Sequence, residues 1–298
     1  MGPAQADSAG AAESARTNRP GGVGDRYLRD RQANENFPVA LRVLPKRYRV
    51  HLEAVYDVVR VIDDLGDEAS GNRTLLLEGF REDLSQIWHG GTPESAVGQR
   101  LAPTVAACGL SEQPFRDLVQ ANLQDQEVAT YATWDDLVAY CALSANPIGR
   151  MVLEVFGQSN AHRAELSDRI CTALQVVEHC QDVAEDRHAG RVYLPEADLD
   201  RFGVRPTDLT TAPASEGLRK VVSTQVGRCS ELMASGLPLI GELRGWARLA
   251  VSGYAAGGLA TIHALREANY DVVSTHCRAK RTNMVKHLVR IYRGRVTP

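Results

Sequence analysis

Two runs of carboxylates carry the most chemistry in this sequence. The first is Asp63-Asp64-Leu65-Gly66-Asp67-Glu68, and the second, about 115 residues later, runs from Glu178 through Asp182 to Glu185-Asp186. Each lies in an otherwise apolar, helix-forming stretch. At about 100° per residue, Tyr56, Arg60, Asp63, Asp64 and Asp67 project within roughly 100° of one another. Leu52, Val55, Val59 and Ile62 continue round the adjoining face. The same construction lines up Gln175, Glu178, Asp182 and Asp186 and leaves Leu174, Val177 and Val183 for a core. Carboxylates at i and i+4 repel by about 0.2–0.5 kcal/mol per pair on an exposed helix, and by more when desolvated. Something positive should face them. Oxygen-only ligands suit hard cations, and Mg²⁺ takes one or two protein carboxylates together with waters and substrate phosphate oxygens. A single D-D-x-x-D reads as a solvated helix face. Two such clusters, each embedded in apolar helix, point to divalent metal held against a diphosphate.

The elements that must position these groups are helices. Helical periodicity predicts them near 48–68, 72–89, 112–128, 134–156, 161–187, 215–235, 238–267 and 280–293, so the fold class is all-α. Strand-like runs occur only at Arg191-Val192-Tyr193-Leu194 and Val272-Val273, and neither has an evident partner. Breaks are expected at Gly90-Gly91-Thr92-Pro93, Asn146-Pro147, Gly157, Leu194-Pro195 and Gly236-Leu237-Pro238. Asn146-Pro147 interrupts a helical pattern and should free backbone carbonyls next to Ser144. Residues 1–24, rich in Ala, Gly, Ser and Pro, read as a disordered tail without the apolar core of a secretory signal, and 25–298 as one all-α domain.

Composition narrows the partners. A net charge of −3 over 298 residues gives no general case for nucleic acid or for an anionic membrane. Cys108, Cys141, Cys171, Cys180, Cys229 and Cys277 are dispersed without C-x-x-C spacing, which fits buried thiols in a reducing cytoplasm. The most apolar long run, Gly245 to Leu265, contains Arg248, His263 and several glycines, and reads as a core helix rather than a membrane span.

With these residues in view, the chain resembles the squalene/phytoene synthase family of trans-isoprenyl diphosphate enzymes, from about Asn34 to Arg293. Within the family it is most similar to the bacterial hydroxysqualene branch of hopanoid pathways. The ordered segments that carry the resemblance begin with Glu35-Asn36-Phe37-Pro38-Val39-Ala40, Tyr56-x3-Arg60-x2-Asp63-Asp64-x2-Asp67 and Gln124-Asp125-Gln126-x4-Tyr131. Tyr140-Cys141-x3-Ala145-Asn146-Pro147-x-Gly149 follows, then Leu174 through Asp186 with Gly190-Arg191-Val192-Tyr193-Leu194-Pro195. The resemblance implies a central cavity with two Mg²⁺-binding aspartate motifs at one end and an apolar tunnel beyond. It makes Asp63, Asp67, Asp182 and Asp186 metal ligands, places Arg60 and Gln175 at the diphosphate, and turns Tyr140 toward a cationic intermediate. Tyr56 joins Arg60 and Tyr140 in the catalytic set, and Asn36, Phe37, Arg191 and Tyr193 join Gln175 in binding substrate. Two positions depart from the family pattern. Glu178 stands where an asparagine is usual, able to ligate Mg²⁺ but adding charge, and Gln181 stands where an arginine is usual, as in the hydroxysqualene branch.

The chemistry agrees with the resemblance. Ionising an allylic or cyclopropylcarbinyl diphosphate requires the leaving charge to be neutralised, by Lewis-acid metal and by cations such as Arg60. The carbocation then needs an apolar, aromatic wall, for which Tyr56, Tyr140, Phe37 and Tyr254 are candidates, each with a core-packing alternative. His179 could orient a water or simply bond a neighbouring carboxylate. Arg187, Arg191 and Tyr193 could close over diphosphate, although cations also favour a helix C-terminus. Arg278, Lys280 and Arg281 are a solvated basic face or a lid. The expected reaction is Mg²⁺-dependent conversion of presqualene diphosphate to hydroxysqualene, with no nicotinamide cofactor. The expected partner is a prenyl diphosphate, with transient contact to a membrane or to pathway enzymes and no obligate protein partner. Rival readings are condensation of farnesyl diphosphate to presqualene diphosphate or squalene, prenylation of an aromatic acceptor, and a non-catalytic metal-binding bundle or scaffold. A di-iron bundle wants two E-x-x-H pairs, and the chain has one, Glu185 to His188.

Overall fold

The computed structural model describes residues 44–294 apart from 276. The expected tail at 1–24, and Asn36 and Phe37, lie outside them. Helix α1 (Lys46–Asp67) buries Leu52, Val55, Val58, Val61, Ile62 and Leu65 along one side. Helix α2 (Arg73–Ser85) starts where the Asn72 side chain accepts from Leu75 N, and it ends four residues before the expected 89. Helix α3 (Ala96–Cys108) was not anticipated. Ser95 caps its start, Gly109 closes it at φ +65°, and Pro103 sits inside it, the feature that argues against a helix in the sequence.

Helix α4 (Gln113–Gln124) leads through a 125–133 connection to α5 (Trp134–Ser144), which begins with a Thr133/Asp136 capping box. The break at Asn146-Pro147 is present: α5 ends at Ser144, and α6 (Asn146–Val155) starts with Pro147 in its first turn. Helix α7 (Ala161–Gln181) and the short α8 (Val183–His188) replace the single helix expected over 161–187, because Asp182 leaves helical geometry at φ −100°, ψ 16°. The short α9 (Glu196–Arg201) and a 3-10 turn at Pro206–Leu209 precede α10 (Glu216–Gly236). The run expected over 238–267 also divides. Helix α11 (Pro238–Glu242) stops at an extended Leu243, and α12 (Gly245–Glu267) begins at a glycine with φ +56°. Helix α13 (Arg281–Tyr292) follows.

Helix α7 is central, packing on α10, α6, α12 and α5. Two glycines let its neighbours come close. A Cβ at Gly236 would meet Leu166 O at 2.8 Å, and one at Gly258 would meet Leu174 Cδ2 at 2.4 Å. No helix among the described residues is long and apolar enough to cross a membrane, and Ala247, Val251, Ala255, Ile262 and Leu265 of α12 are buried.

The strand-like run at 191–194 has a partner after all, in the connection between α4 and α5. Val192 N donates to Ala129 O, Glu196 N to Tyr131 O and Ala197 N to Ala132 O, with Thr130 and Val192 forming an isolated parallel bridge. This pairing is too short to form a strand. It nevertheless draws Asp125, Tyr131 and Tyr193 together.

Candidate active site

The end of α1 carries the first acidic cluster, and its three aspartates have different surroundings. Asp63 is partly buried and receives the Asn122 amide of α4 at 3.4 Å. Asp64, expected in the charged stripe, is instead buried and pairs with Arg60 Nη2 at 2.9 Å. Arg60 also lies 3.6 Å from Glu68, so part of its charge is neutralised within α1. Asp67 is exposed and accepts from Arg191 Nη2 at 2.8 Å across a sequence separation of 124. Gln126 ties the ends of α1 and α4 by donating to Gly66 O and Asn122 O, each at 3.0 Å. Tyr56 is buried in α1, one turn before Arg60.

The second cluster straddles the bend at Asp182. Glu178 is exposed, while Asp182 and Asp186 are partly buried. The Asp186 N–H still donates to Asp182 O at 2.8 Å, so the stripe survives the bend, and Arg191 N donating to Asp186 O turns the chain back toward α1. Arg191 thus bridges from the second cluster to the first. Burial raises Asp63 to about 7, with Asp67 and Asp64 adding to the rise and Asn122 and Arg60 opposing it. Asp182 rises to about 6, first through burial and then through repulsion from Glu178, Asp186 and Glu185. Asp186 Oδ2 is buried without a hydrogen-bond partner, 3.7 Å from His179 Nδ1.

A place where burial and mutual repulsion both resist ionisation is short of positive charge. These residues fit a divalent cation. Among the described residues no group of three or more His, Cys, Asp or Glu side chains stands ready to hold a metal ion. Mg²⁺ completed by waters and phosphate oxygens does not require such a cage.

Beside the carboxylates stands an aromatic group organised by Asp125. Tyr140 donates its hydroxyl to Asp125 Oδ2 at 2.6 Å, the length of a charge-assisted bond, and Tyr193 donates to Asp125 Oδ1 at 3.4 Å. Tyr131, Tyr140 and Tyr193 have ring centroids 5.2–5.8 Å apart, and His179 stacks on Tyr193 at 3.7 Å with 14° between planes. Gln175 Nε2 lies 3.2 Å from His179 Nε2, linking the stripe of α7 to the rings. His179 therefore combines ring stacking with the carboxylate neighbour expected for it. Burial pushes all three phenols up, so they remain neutral donors, and raises Asp125 as well. A cleft of about 440 Å³, lined by Gln124, Val128, Leu143 and neighbouring residues, reaches Tyr131 and Tyr140.

Asp125 was not among the residues selected from the sequence, although it lies in one of the quoted segments. Its role depends on the pairing of 129–132 with 192–197, which no local pattern announces. Tyr254 is partly buried in α12, and burial raises its phenol. Lys280, a candidate lid residue, pairs with Glu267 at 2.9 Å. His188 is engaged with Ala184 O of its own helix at 2.6 Å.

The model of the squalene/phytoene synthase family matches residues 30–285. The chain belongs to that family. It is 34% identical to a hydroxysqualene synthase of Rhodopseudomonas palustris over 215 residues, 71% of this chain and 72% of the relative. It is 28% identical to a presqualene diphosphate synthase of the same organism over 196 residues, 65% of this chain and 70% of the relative. The crystal structure of squalene synthase HpnC from Alicyclobacillus acidocaldarius superposes with a TM-score of 0.77 at 38% identity, covering 83% of this chain and 94% of that one. The fold is therefore the all-α isoprenoid synthase fold. A squalene/phytoene synthase is an enzyme acting on prenyl diphosphates, which displaces the storage-bundle and scaffold readings.

Proposed function

We propose that the protein converts presqualene diphosphate to hydroxysqualene, releasing diphosphate, as a Mg²⁺-dependent step of squalene and hopanoid biosynthesis. The observation that carries this reading is the Arg191–Asp67 pair, which sets the two acidic clusters beside one aromatic group. The branch assignment is supported by the similarity to relatives named hydroxysqualene synthase at 31–34% identity. Gln181 in place of the family's arginine supports it too.

Asp63, Asp67, Asp182 and Asp186, with Glu178 at the rim, would hold Mg²⁺. Bound there, the ion supplies Lewis-acid neutralisation of the departing diphosphate. Arg191 and Arg60 add fixed positive charge near the same end. As the C–O bond breaks, the cyclopropylcarbinyl cation lies against the aromatic group of Tyr140, Tyr193 and His179 rather than in bulk water. Asp125 fixes the two phenols by their hydroxyls, keeping their rings in place. After rearrangement a water adds to the cation and loses a proton, giving the alcohol. No hydride donor is required. Asn36 and Phe37 are assigned to substrate binding with Gln175. The protein acts in the cytoplasm, peripheral to the membrane.

Purified protein with Mg²⁺, incubated separately with presqualene diphosphate and with farnesyl diphosphate, tests the reading by lipid mass analysis. Presqualene diphosphate should yield a C30 alcohol, and full activity in EDTA would remove the metal assignment. Farnesyl diphosphate turning over to presqualene diphosphate or squalene would establish the condensing activity instead. A prenylated product formed only with an added aromatic acceptor would establish the third reading.

A further inference from the structure

From Val272 onward the sequence holds seven Lys and Arg and no Asp or Glu, in a chain whose net charge is −3. The proposed reaction uses none of these cations. Four of them, Arg281, Lys286, Arg290 and Arg293, lie on α13 or at its C-terminal end, and the two faces of that helix differ. Leu288 and Ile291 turn inward and join the core. On the outer face Val285, Val289 and Tyr292 are 59%, 41% and 47% exposed. At 100° per residue these three fall within roughly 60° of arc. Arg281 borders the stripe on one side and Lys286, Arg290 and Arg293 on the other, all exposed. Arg248 of α12 anchors the end of the helix, donating to Tyr292 O at 2.9 Å with its guanidinium 4.6 Å from the Tyr292 ring. The neighbouring acid on α12, Glu267, is already engaged by Lys280 and His263.

We propose that this face of α13 docks the protein on anionic lipid bilayers. An apolar stripe bordered by Lys and Arg is the pattern of an interfacial helix. Its apolar side chains enter the boundary between headgroups and acyl chains while its cations meet anionic headgroups. A tyrosine is favoured at that boundary. Charge selects the occupant. A second copy paired about a two-fold axis would bring this cationic face against itself, whereas an anionic surface complements it and repels the rest of the chain. The inference extends the peripheral location proposed above by naming the surface that makes it, and is independent of which prenyl diphosphate is consumed.

Cosedimentation with vesicles tests it, comparing phosphatidylcholine alone with phosphatidylcholine containing phosphatidylglycerol. Wild-type protein should bind only the anionic vesicles and be released as NaCl is raised. The pair Val285→Ser with Val289→Ser, and separately Lys286→Glu with Arg290→Glu, should each lower the vesicle-bound to free ratio by roughly tenfold or more, with the helical CD spectrum unchanged. Wild-type protein that ignores anionic vesicles would reject the peripheral location itself. Wild-type binding that both variants retain would reject this face alone. A dimer in light scattering that both variants split, with no vesicle binding, would assign the face to a second copy.

Discussion

Asp125 accepts from two buried phenols at once, and its position between the acidic clusters and the rings makes it the residue on which their geometry depends. A charge-assisted hydrogen bond is worth about 1.5–3 kcal/mol, so Asp125→Ala should lower kcat by about tenfold or more while the CD spectrum is retained. Asp125→Asn should recover part of the loss, because its amide oxygen still accepts from Tyr140; equal activity in all three proteins would show that the phenols need no anchor. Burial holds Asp63 at about 7, above the ordinary aspartate value of 3.8, so the folded metal-free protein binds this proton more tightly than the unfolded chain does. The cost of ionising Asp63 therefore appears as pH rises above 3.8 and is complete above about 7. In EDTA, Asp63→Asn should leave Tm nearly unchanged near pH 3.5 and raise it by several degrees at pH 8, and with Mg²⁺ restored it should lose most turnover. A Tm difference independent of pH would contradict the burial of that carboxylate. Glu178 adds negative charge beside Asp182. Glu178→Ala should raise the Mg²⁺ concentration needed for half-maximal rate severalfold, and an unchanged titration would leave Glu178 a surface residue.

Among the elements, α7 holds the second cluster in place through its close approach to α10. A methyl group at Gly236 would meet the Leu166 carbonyl, which cannot swing away as a side chain would. Gly236→Ala should cost about 1–3 kcal/mol, a Tm loss of about 2–4 °C per kcal/mol in a chain of this size class. Gly227→Ala on the same helix meets nothing within 4 Å and should be neutral or stabilising. Equal Tm values for the two variants would show that the interface is not tight there. Helices α1, α7 and α10 were legible because their apolar residues keep a helical period, and the break at Asn146-Pro147 because proline has no N–H to give. Helix α3 was hidden by Pro103 and by an Ala-rich composition with little facial contrast. The bend at Asp182 was hidden because Val177, Val183 and Ala184 keep the apolar pattern running through it. The division at Leu243–Gly245 was masked in the same way, by apolar residues on both sides.

Across the whole molecule, the acidic clusters were legible as residues. Their bridge was not: the sequence offers Arg191 as a substrate-binding cation that could close over diphosphate, or as a cation near a helix end, but not as the partner of Asp67, and it offers Asp125 only as part of a polar triplet. Both acquire roles from contacts between distant segments, Arg191 with Asp67 and the 129–132 connection with 192–197. The enclosed aromatic group beside the carboxylates is what the proposed outcome requires, since a cation shielded from solvent persists until one admitted water reaches it. The most direct measurement is turnover of presqualene diphosphate with Mg²⁺ in ¹⁸O-labelled water, with and without NADPH, followed by mass analysis of the lipid product. An alcohol carrying one ¹⁸O, in unchanged yield with NADPH, is the predicted result. Squalene formed at the expense of the alcohol when NADPH is added, or an alcohol without the label, would contradict it.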